Sequence, residues 1–74
     1  MGKLPASVDG NRFLRAMARF GWFVKRKHGS HRVLVHAETG ATITVAFHGE
    51  IYRGAIHGTL KAAGIDRDDF LENL

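Results

Sequence analysis

Apolar residues recur at helical spacing near the start of the chain, and arginines occupy positions between them. This arrangement is typical of an amphipathic helix, which we predict over residues 8–20. Ser7 and Asp9 are both suitable residues to cap its start, and Gly21 is a suitable residue to end it. The apolar face of the predicted helix consists of Phe13, Leu14, Met17 and Phe20.

The middle of the chain shows the pattern of β-strands. Residues 22–27 begin with aromatic and β-branched side chains, and a Gly-Ser pair at 29–30 separates them from a second predicted strand at 31–36, whose centre is apolar. A turn at 37–40, which ends in glycine, leads to residues 41–47, where apolar side chains alternate with threonines. The alternation predicts a sheet with one buried face and one face in water.

The rest of the chain completes a single α+β domain that covers all 74 residues. We interpret residues 1–7 as a short arm and residues 48–54 as a loop. A helix over residues 55–63 would end at Gly64, and a last short helix would be capped by Asp66. The predicted order is α-β-β-β-α-α, in which a three-stranded antiparallel sheet carries helices on one face.

The composition excludes several classes of protein. The chain has no cysteine, so it has neither a disulfide framework nor a thiolate metal site, and this favours a reducing compartment. No apolar run approaches the ~20 residues that a membrane span needs, and the first residues lack the apolar core of a secretory signal. We therefore expect a cytoplasmic protein without a membrane partner.

Positive charge is concentrated in the first half of the chain. Residues 1–36 contain eight lysines and arginines against one aspartate, whereas residues 37–74 contain three against six acidic residues. The densest part is the segment 25–32, with four cationic side chains and two histidines around the Gly-Ser pair. This asymmetry favours a phosphate-binding face, and the alternative is a mixed surface that only keeps the protein soluble. The same two interpretations apply to the helical stripe of Arg12, Arg15 and Arg19.

His31 is the strongest candidate for chemistry in this segment. It directly follows Gly29, which lets the backbone approach a ligand closely, and Ser30, which adds a hydroxyl. An imidazole can take the proton from an RNA 2′-hydroxyl, whose oxygen then attacks the adjacent phosphate, while Lys and Arg stabilise the developing charge. The spacing alone fits equally well a surface histidine in an RNA-binding loop without catalysis.

The neighbouring histidines and aromatic residues have simpler interpretations. We interpret His28 as a solvated neighbour of the turn and His36 as a surface histidine at the far end of its strand. His28 and His31 lie three residues apart across a turn, without an HExxH motif or an adjacent acid, so we expect no metal cofactor. Trp22 and Phe23 begin a strand, and we assign them to the core rather than to a platform for stacking bases.

A series of short motifs extends along almost the whole chain. They are Leu4-Pro5, Gly21-Trp22, Gly29-Ser30-His31, Leu34-Val35-His36, Gly40, Thr42-Ile43-Thr44-Val45, His48, Gly54, residues 60–65 and Asp69-Phe70-Leu71. In this order the motifs resemble the HicA-type, or YcfA-like, mRNA interferase toxins. The chain departs from the family at Ala46, where proline is common, at Ala55, where threonine is common, and at His57, where a basic residue is common.

The resemblance implies a compact fold similar to a double-stranded-RNA-binding domain. It implies a toxin of a type II toxin–antitoxin system that cleaves mRNA independently of the ribosome, without a metal, and that a HicB-type antitoxin controls. It makes His31 the catalytic histidine. The alternatives are a non-catalytic RNA-binding module of the same fold and an adaptor that binds only protein. On the toxin hypothesis, the residues assigned to RNA binding are Lys25, Lys27, His28, Gly29, Ser30 and Arg32.

Overall fold

A computed structural model of the chain describes residues 2–74. Its elements follow the order β-α-β-β-β-β-α-α, so the α+β class is confirmed. The elements are β1 (Ser7–Asp9), α1 (Gly10–Ala18), β2 (Trp22–His28), β3 (His31–His36), β4 (Thr42–Ala46), β5 (Glu50–Tyr52), α2 (Arg53–Ala63) and α3 (Arg67–Glu72).

The predicted three-stranded antiparallel sheet has the order β2-β3-β4. Leu34 of β3 lies opposite Ile43 of β4, and Leu34 is fully buried, so this side of the sheet faces the core. Helix α1 packs along β2, and α2 packs along β4. The helices thus cover one face of the sheet, an arrangement compatible with a double-stranded-RNA-binding domain. The largest fully buried side chains are Phe13, Met17, Leu34, Val45, Ile51, Ile56 and Phe70.

Two short strands that the sequence pattern did not indicate form a second sheet. Strand β1 pairs with β5, and Val8 lies opposite Ile51 with both side chains buried. The prediction of an arm over residues 1–7 is wrong, because Leu4 is buried in the core and residue 7 already belongs to β1. The prediction of a loop over residues 48–54 is also wrong, since this segment contains β5 and the start of α2.

Three of the predicted capping residues, Asp9, Gly64 and Asp66, cap helices in the structure. Helix α1 is shorter than the predicted helix over residues 8–20, because Val8 belongs to β1 and the C-cap is Arg19 rather than Gly21. Asp9 caps α1 and accepts a hydrogen bond from the backbone N–H of Arg12 at 3.1 Å. Gly21, with φ 87°, lies in the turn after α1, and Gly64, with φ 70°, ends α2. Asp66 caps α3. The longest described helix has 11 residues, and no helix within residues 2–74 is long and apolar enough to cross a membrane.

Candidate functional site

The candidate site lies at the turn between β2 and β3, which has only two residues outside the strands. Gly29 comes first and has φ 59°, a conformation that glycine adopts without strain, while Ser30 has a negative φ. A type II′ turn requires this pattern, and its twist matches that of the flanking strands. The turn places His28 directly opposite His31. Their side chains therefore leave the sheet on the same face.

This shared face is the one that the helices leave uncovered. His31 lies opposite Ala46 of β4 and two positions from Val33, whereas the buried Leu34 lies on the other face. Arg26 is paired with Val33, so its side chain also belongs to the uncovered face. A depression of about 470 Å³ is formed there, lined by Arg26, His28, His31, Val33 and Thr44.

The electrostatic character of the uncovered face is set by the absence of acidic residues. Strands β2, β3 and β4, as the structure describes them, contain no aspartate or glutamate. The acidic residue nearest along the chain is Glu38, in the turn at the opposite end of β3. Because no carboxylate of the sheet offsets Arg26, the depression presents two imidazoles beside an uncompensated positive charge. A phosphate group matches these partners.

Arg32 lies on the opposite face from His31. Its Nη1 donates hydrogen bonds to the carbonyl oxygens of Gly29 at 2.9 Å and of His31 at 3.2 Å. Its guanidinium carbon lies 4.4 Å from the centre of the Phe47 ring. Arg32 thus ties the turn to the segment that follows β4. Lys27 lies opposite Arg32 and shares that face.

A β-bulge separates Lys25 from the strand register. Val24 pairs with Leu34 and Arg26 pairs with Val33, so Lys25 is an extra residue without a partner on β3. Its side chain is exposed. The structure therefore does not gather the predicted cations around His31. The cation that it places there is Arg26, which the sequence analysis did not select. Arg26 lies two residues before His28, and alternate residues of a strand share a face, so the alternation alone could have placed Arg26 beside the histidines.

Comparison with known proteins decides the family. A family model described as HicA toxin of bacterial toxin–antitoxin matches residues 10–65, which extend from the start of α1 to just beyond the end of α2. The chain belongs to the HicA toxin family. Neither a curated protein nor a solved structure gives a significant match. Membership of the HicA family makes the chain a toxin of a toxin–antitoxin system and implies an antitoxin as its partner.

Within the HicA fold, His36 is a structural residue, so its prediction as a surface histidine is wrong. The side chain is partly buried, and its ring lies edge-on to Trp22 with centroids 5.1 Å apart. Nδ1 accepts hydrogen bonds from the backbone N–H groups of Glu38 and Thr39, both at 3.3 Å. Nε2 therefore carries the proton and donates to the carbonyl oxygen of Phe20 at 3.1 Å. His36 ties the end of α1 to the turn between β3 and β4.

The two aromatic residues at the start of β2 have different environments. Trp22 is 5% exposed and belongs to the core, as predicted. Phe23 is 49% exposed, so its assignment to the core is wrong. Phe23 lies opposite Val35, which places it on the same uncovered face as Arg26. An exposed aromatic ring on this face is available for stacking against a nucleobase.

The remaining histidines of the HicA chain do not join the pair at the turn. His48 lies in the exposed segment between β4 and β5, and His57 is exposed on α2. Within residues 2–74, no cluster of three or more His, Cys, Asp or Glu side chains is arranged to hold a metal ion. The candidate site of this HicA chain therefore consists of His31, His28 and Arg26, with Phe23 farther along the same face.

Proposed function

We propose that this HicA chain is an endoribonuclease that inactivates mRNA, with His31 as the general acid/base. The observation that carries this proposal is the pairing of His31 with His28 on an uncovered sheet face that contains Arg26 and no acid. RNA carries its own nucleophile, the 2′-hydroxyl, so the protein must supply proton transfer and charge stabilisation. Imidazole and guanidinium groups supply these two functions without a metal or the ribosome.

The proposed step is an attack within the RNA strand. His31 removes the proton of a 2′-hydroxyl as the oxygen attacks the adjacent phosphorus. The bond from phosphorus to the 5′-oxygen of the next nucleotide breaks, and that oxygen takes up the proton that the imidazole of His31 has accepted. The products are a 2′,3′-cyclic phosphate and a free 5′-hydroxyl. The guanidinium of Arg26 stabilises the charge that develops on the phosphate oxygens.

The position of His31 is fixed by strands on both sides, whereas that of His28 is fixed on one side only. His31 belongs to the central strand β3, where it is flanked by His28 on one side and by Ala46 on the other. His28 is the last residue of β2, which is an edge strand of the three-stranded sheet. A group held on both sides keeps its orientation better, and catalysis depends strongly on such positioning. We therefore assign His31 to catalysis and His28 to contact with the RNA.

The predicted RNA-binding residues have different parts in this proposal. Gly29 and Ser30 form an exposed turn, and a methyl group added at Gly29 would meet no atom within 4 Å, so an RNA strand can approach the turn closely. Lys25 and Lys27 are exposed and contribute positive charge on either side of Arg26. Arg32, although part of the same charged segment, holds the turn in shape.

The antitoxin partner is proposed to be a HicB-type protein that covers the uncovered face and blocks access to His31. A surface that lacks acids and carries Arg26 favours an acidic partner surface, because complementary charge accelerates association and disfavours other partners. On this proposal the protein acts in the cytoplasm, where it meets its mRNA substrate.

The proposal is tested by expressing the wild-type chain, His31→Ala and the control His48→Ala from a tightly controlled promoter. His48 is an exposed histidine outside the depression, so its loss matches the chemical change without touching the site. We expect growth arrest and mRNA loss for the wild type and for His48→Ala, and normal growth for His31→Ala. Purified wild type should cut RNA in the presence of EDTA.

The outcomes separate the competing functions. Equal growth and intact mRNA for all three chains would contradict the nuclease proposal. RNA that is bound with a steep salt dependence but left intact would favour the non-catalytic RNA-binding module. A chain that binds no RNA at moderate salt would be an adaptor for protein alone, and loss of cleavage with EDTA would show a metal-dependent enzyme.

A further inference from the structure

A second cluster of positive charge surrounds a cavity of about 300 Å³ between the N-terminal segment and α2. The cavity shares no residue with the depression beside His31. Within residues 2–74, no carboxylate lines it. Like charges held together around a cavity repel one another, and a bound anion would turn this repulsion into attraction. The lining residues are Lys3, Leu4, Arg53, His57 and Arg67.

Arg53 is fixed in place as part of this cavity. Its Nε donates hydrogen bonds to the carbonyl oxygens of Leu4 at 3.1 Å and of Pro5 at 3.3 Å. Its backbone N–H donates to the carbonyl oxygen of Ala6 at 2.9 Å. The bonds from Nε orient the guanidinium group. Its two terminal nitrogens, Nη1 and Nη2, can then donate to a further acceptor. A guanidinium oriented in advance loses little freedom when it binds two oxygens of one anion.

The two acidic residues next to Arg67, Asp66 and Asp68, accept hydrogen bonds from backbone N–H groups. Asp66 caps α3 and accepts hydrogen bonds from the N–H groups of Asp68 at 3.1 Å and Asp69 at 3.2 Å. Asp68 accepts a hydrogen bond from the N–H of Gly2 at 3.3 Å. These carboxylates therefore satisfy the start of α3 and the N-terminal segment. None of these carboxylates lines the cavity, so the cations there remain open to a ligand.

We propose that this cavity binds a phosphate group. Lys3 and Arg67 lie outside residues 10–65, so two of the three charged lining residues lie beyond the part of the chain that matches the HicA family. The source of the phosphate is either the backbone of an RNA strand or a free phosphate.

The cavity lies within reach of the candidate site. Arg53 follows Ala46 by seven positions, and Ala46 lies opposite His31, so the Cα atoms of Arg53 and Ala46 are at most about 25 Å apart. One RNA strand can reach both places, and this source rests on the proposed function.

The first experiment measures binding of inorganic phosphate by the amide resonances of an isotopically labelled full chain. We expect saturable shifts at Arg53, His57 and Arg67. Arg67→Gln should weaken this binding about tenfold, since a hydrogen-bonded charge pair is lost. Lys61→Gln removes the same charge from an exposed position on α2 outside the cavity, and it should leave the affinity unchanged. The absence of saturable shifts, or equal weakening by both variants, would overturn the proposal.

The second experiment distinguishes the two sources of phosphate. A single-stranded oligoribonucleotide is titrated against His31→Ala, which keeps the strand intact, with and without the added change Arg67→Gln. If RNA supplies the phosphate, the slope of log K against log salt should fall by about 0.7 with Arg67→Gln. An unchanged slope with retained phosphate binding would show a site for free phosphate.

The two proposals can therefore fail separately. If RNA is neither bound nor cut, the nuclease proposal fails, while the phosphate shifts still decide the cavity. If RNA is cut but phosphate gives no saturable shifts at Arg53, His57 and Arg67, the cavity proposal fails and the nuclease remains.

Discussion

Arg26 and Arg32 belong to the same hairpin but lie on opposite faces of it. Arg26 is paired with Val33, the neighbour of Arg32 on β3, and successive side chains of a strand point to opposite faces. Arg26 shares the uncovered face with His31, whereas Arg32 lies against the ring of Phe47. The hairpin thus separates a charge that is open to a ligand from a charge that holds the turn.

Replacing Arg26 should weaken RNA binding without weakening the fold. The Arg26→Gln variant removes a charge from the depression, but the side chain is exposed and is not part of the core. For a single-stranded RNA we expect the slope of log K against log salt to fall by about 0.7, with about tenfold lower affinity at constant salt. Lys61→Gln, which removes an exposed charge from α2, is the matched control. An Arg26→Gln variant with the wild-type slope would contradict the assignment.

Replacing Arg32 should lower the stability of the fold and leave the salt dependence of RNA binding unchanged. The Arg32→Lys variant keeps the charge but loses the planar group that bonds two carbonyl oxygens and lies on Phe47. We expect the free energy of unfolding, measured in urea, to fall by about 1 kcal/mol, and cleavage to slow because the turn is less well held. The salt dependence of RNA binding should stay the same. A variant with wild-type stability but weaker RNA binding at constant salt would show that Arg32 binds phosphate directly.

The limits of prediction from sequence are clearest at the two short strands. Strand β3 and the alternation in β4 were readable because five or six residues repeat the same pattern. Strands β1 and β5 have three residues each, too few to show a period, and their pairing joins Ser7 to Tyr52, which the three other strands separate along the sequence. Their stability comes from burying Val8 against Ile51, a contact that no local pattern records.

The site was predictable only as far as the turn. The Gly-Ser pair fixes the register of the hairpin, so the opposition of His28 and His31 follows from the sequence. The bulge at Lys25 does not follow, because a bulge reflects how the strand bends to cover the core. The role of His36 was also hidden, since its partner Phe20 becomes a neighbour only when α1 packs against β2.

The two opposed histidines should have unequal effects on cleavage. His31→Ala removes the proposed proton carrier, so we expect kcat on a short RNA to fall at least about 100-fold with little change in KM. His28→Ala should mainly raise KM, because we assign this residue to contact with the RNA. Single-turnover cleavage assays in EDTA separate the rate of cleavage from the binding of RNA in each variant. Equal loss of kcat in the two variants would instead show that both histidines transfer protons.

The effects of substitutions at Gly21 and His36 on stability should be coupled, because the absence of a side chain at Gly21 leaves room for the imidazole of His36. Gly21 has φ 87°, and a Cβ at this position would lie 2.8 Å from Nε2 of His36. Gly21→Ala should therefore cost about 2 kcal/mol from backbone strain alone, with an added cost from the displaced imidazole. His36→Ala should cost about 2 kcal/mol, since Phe20 and the turn after β3 lose their hydrogen bonds.

A double-mutant cycle in urea tests this coupling. In Gly21→Ala/His36→Ala the added methyl group no longer meets an imidazole, so the double variant should lose less stability than the two single variants together. The difference should be about 1 kcal/mol. His57→Ala, at an exposed position of α2, controls for the loss of a histidine and should leave stability nearly unchanged. Strictly additive losses at Gly21 and His36 would show that the imidazole can move away from the added methyl group without cost.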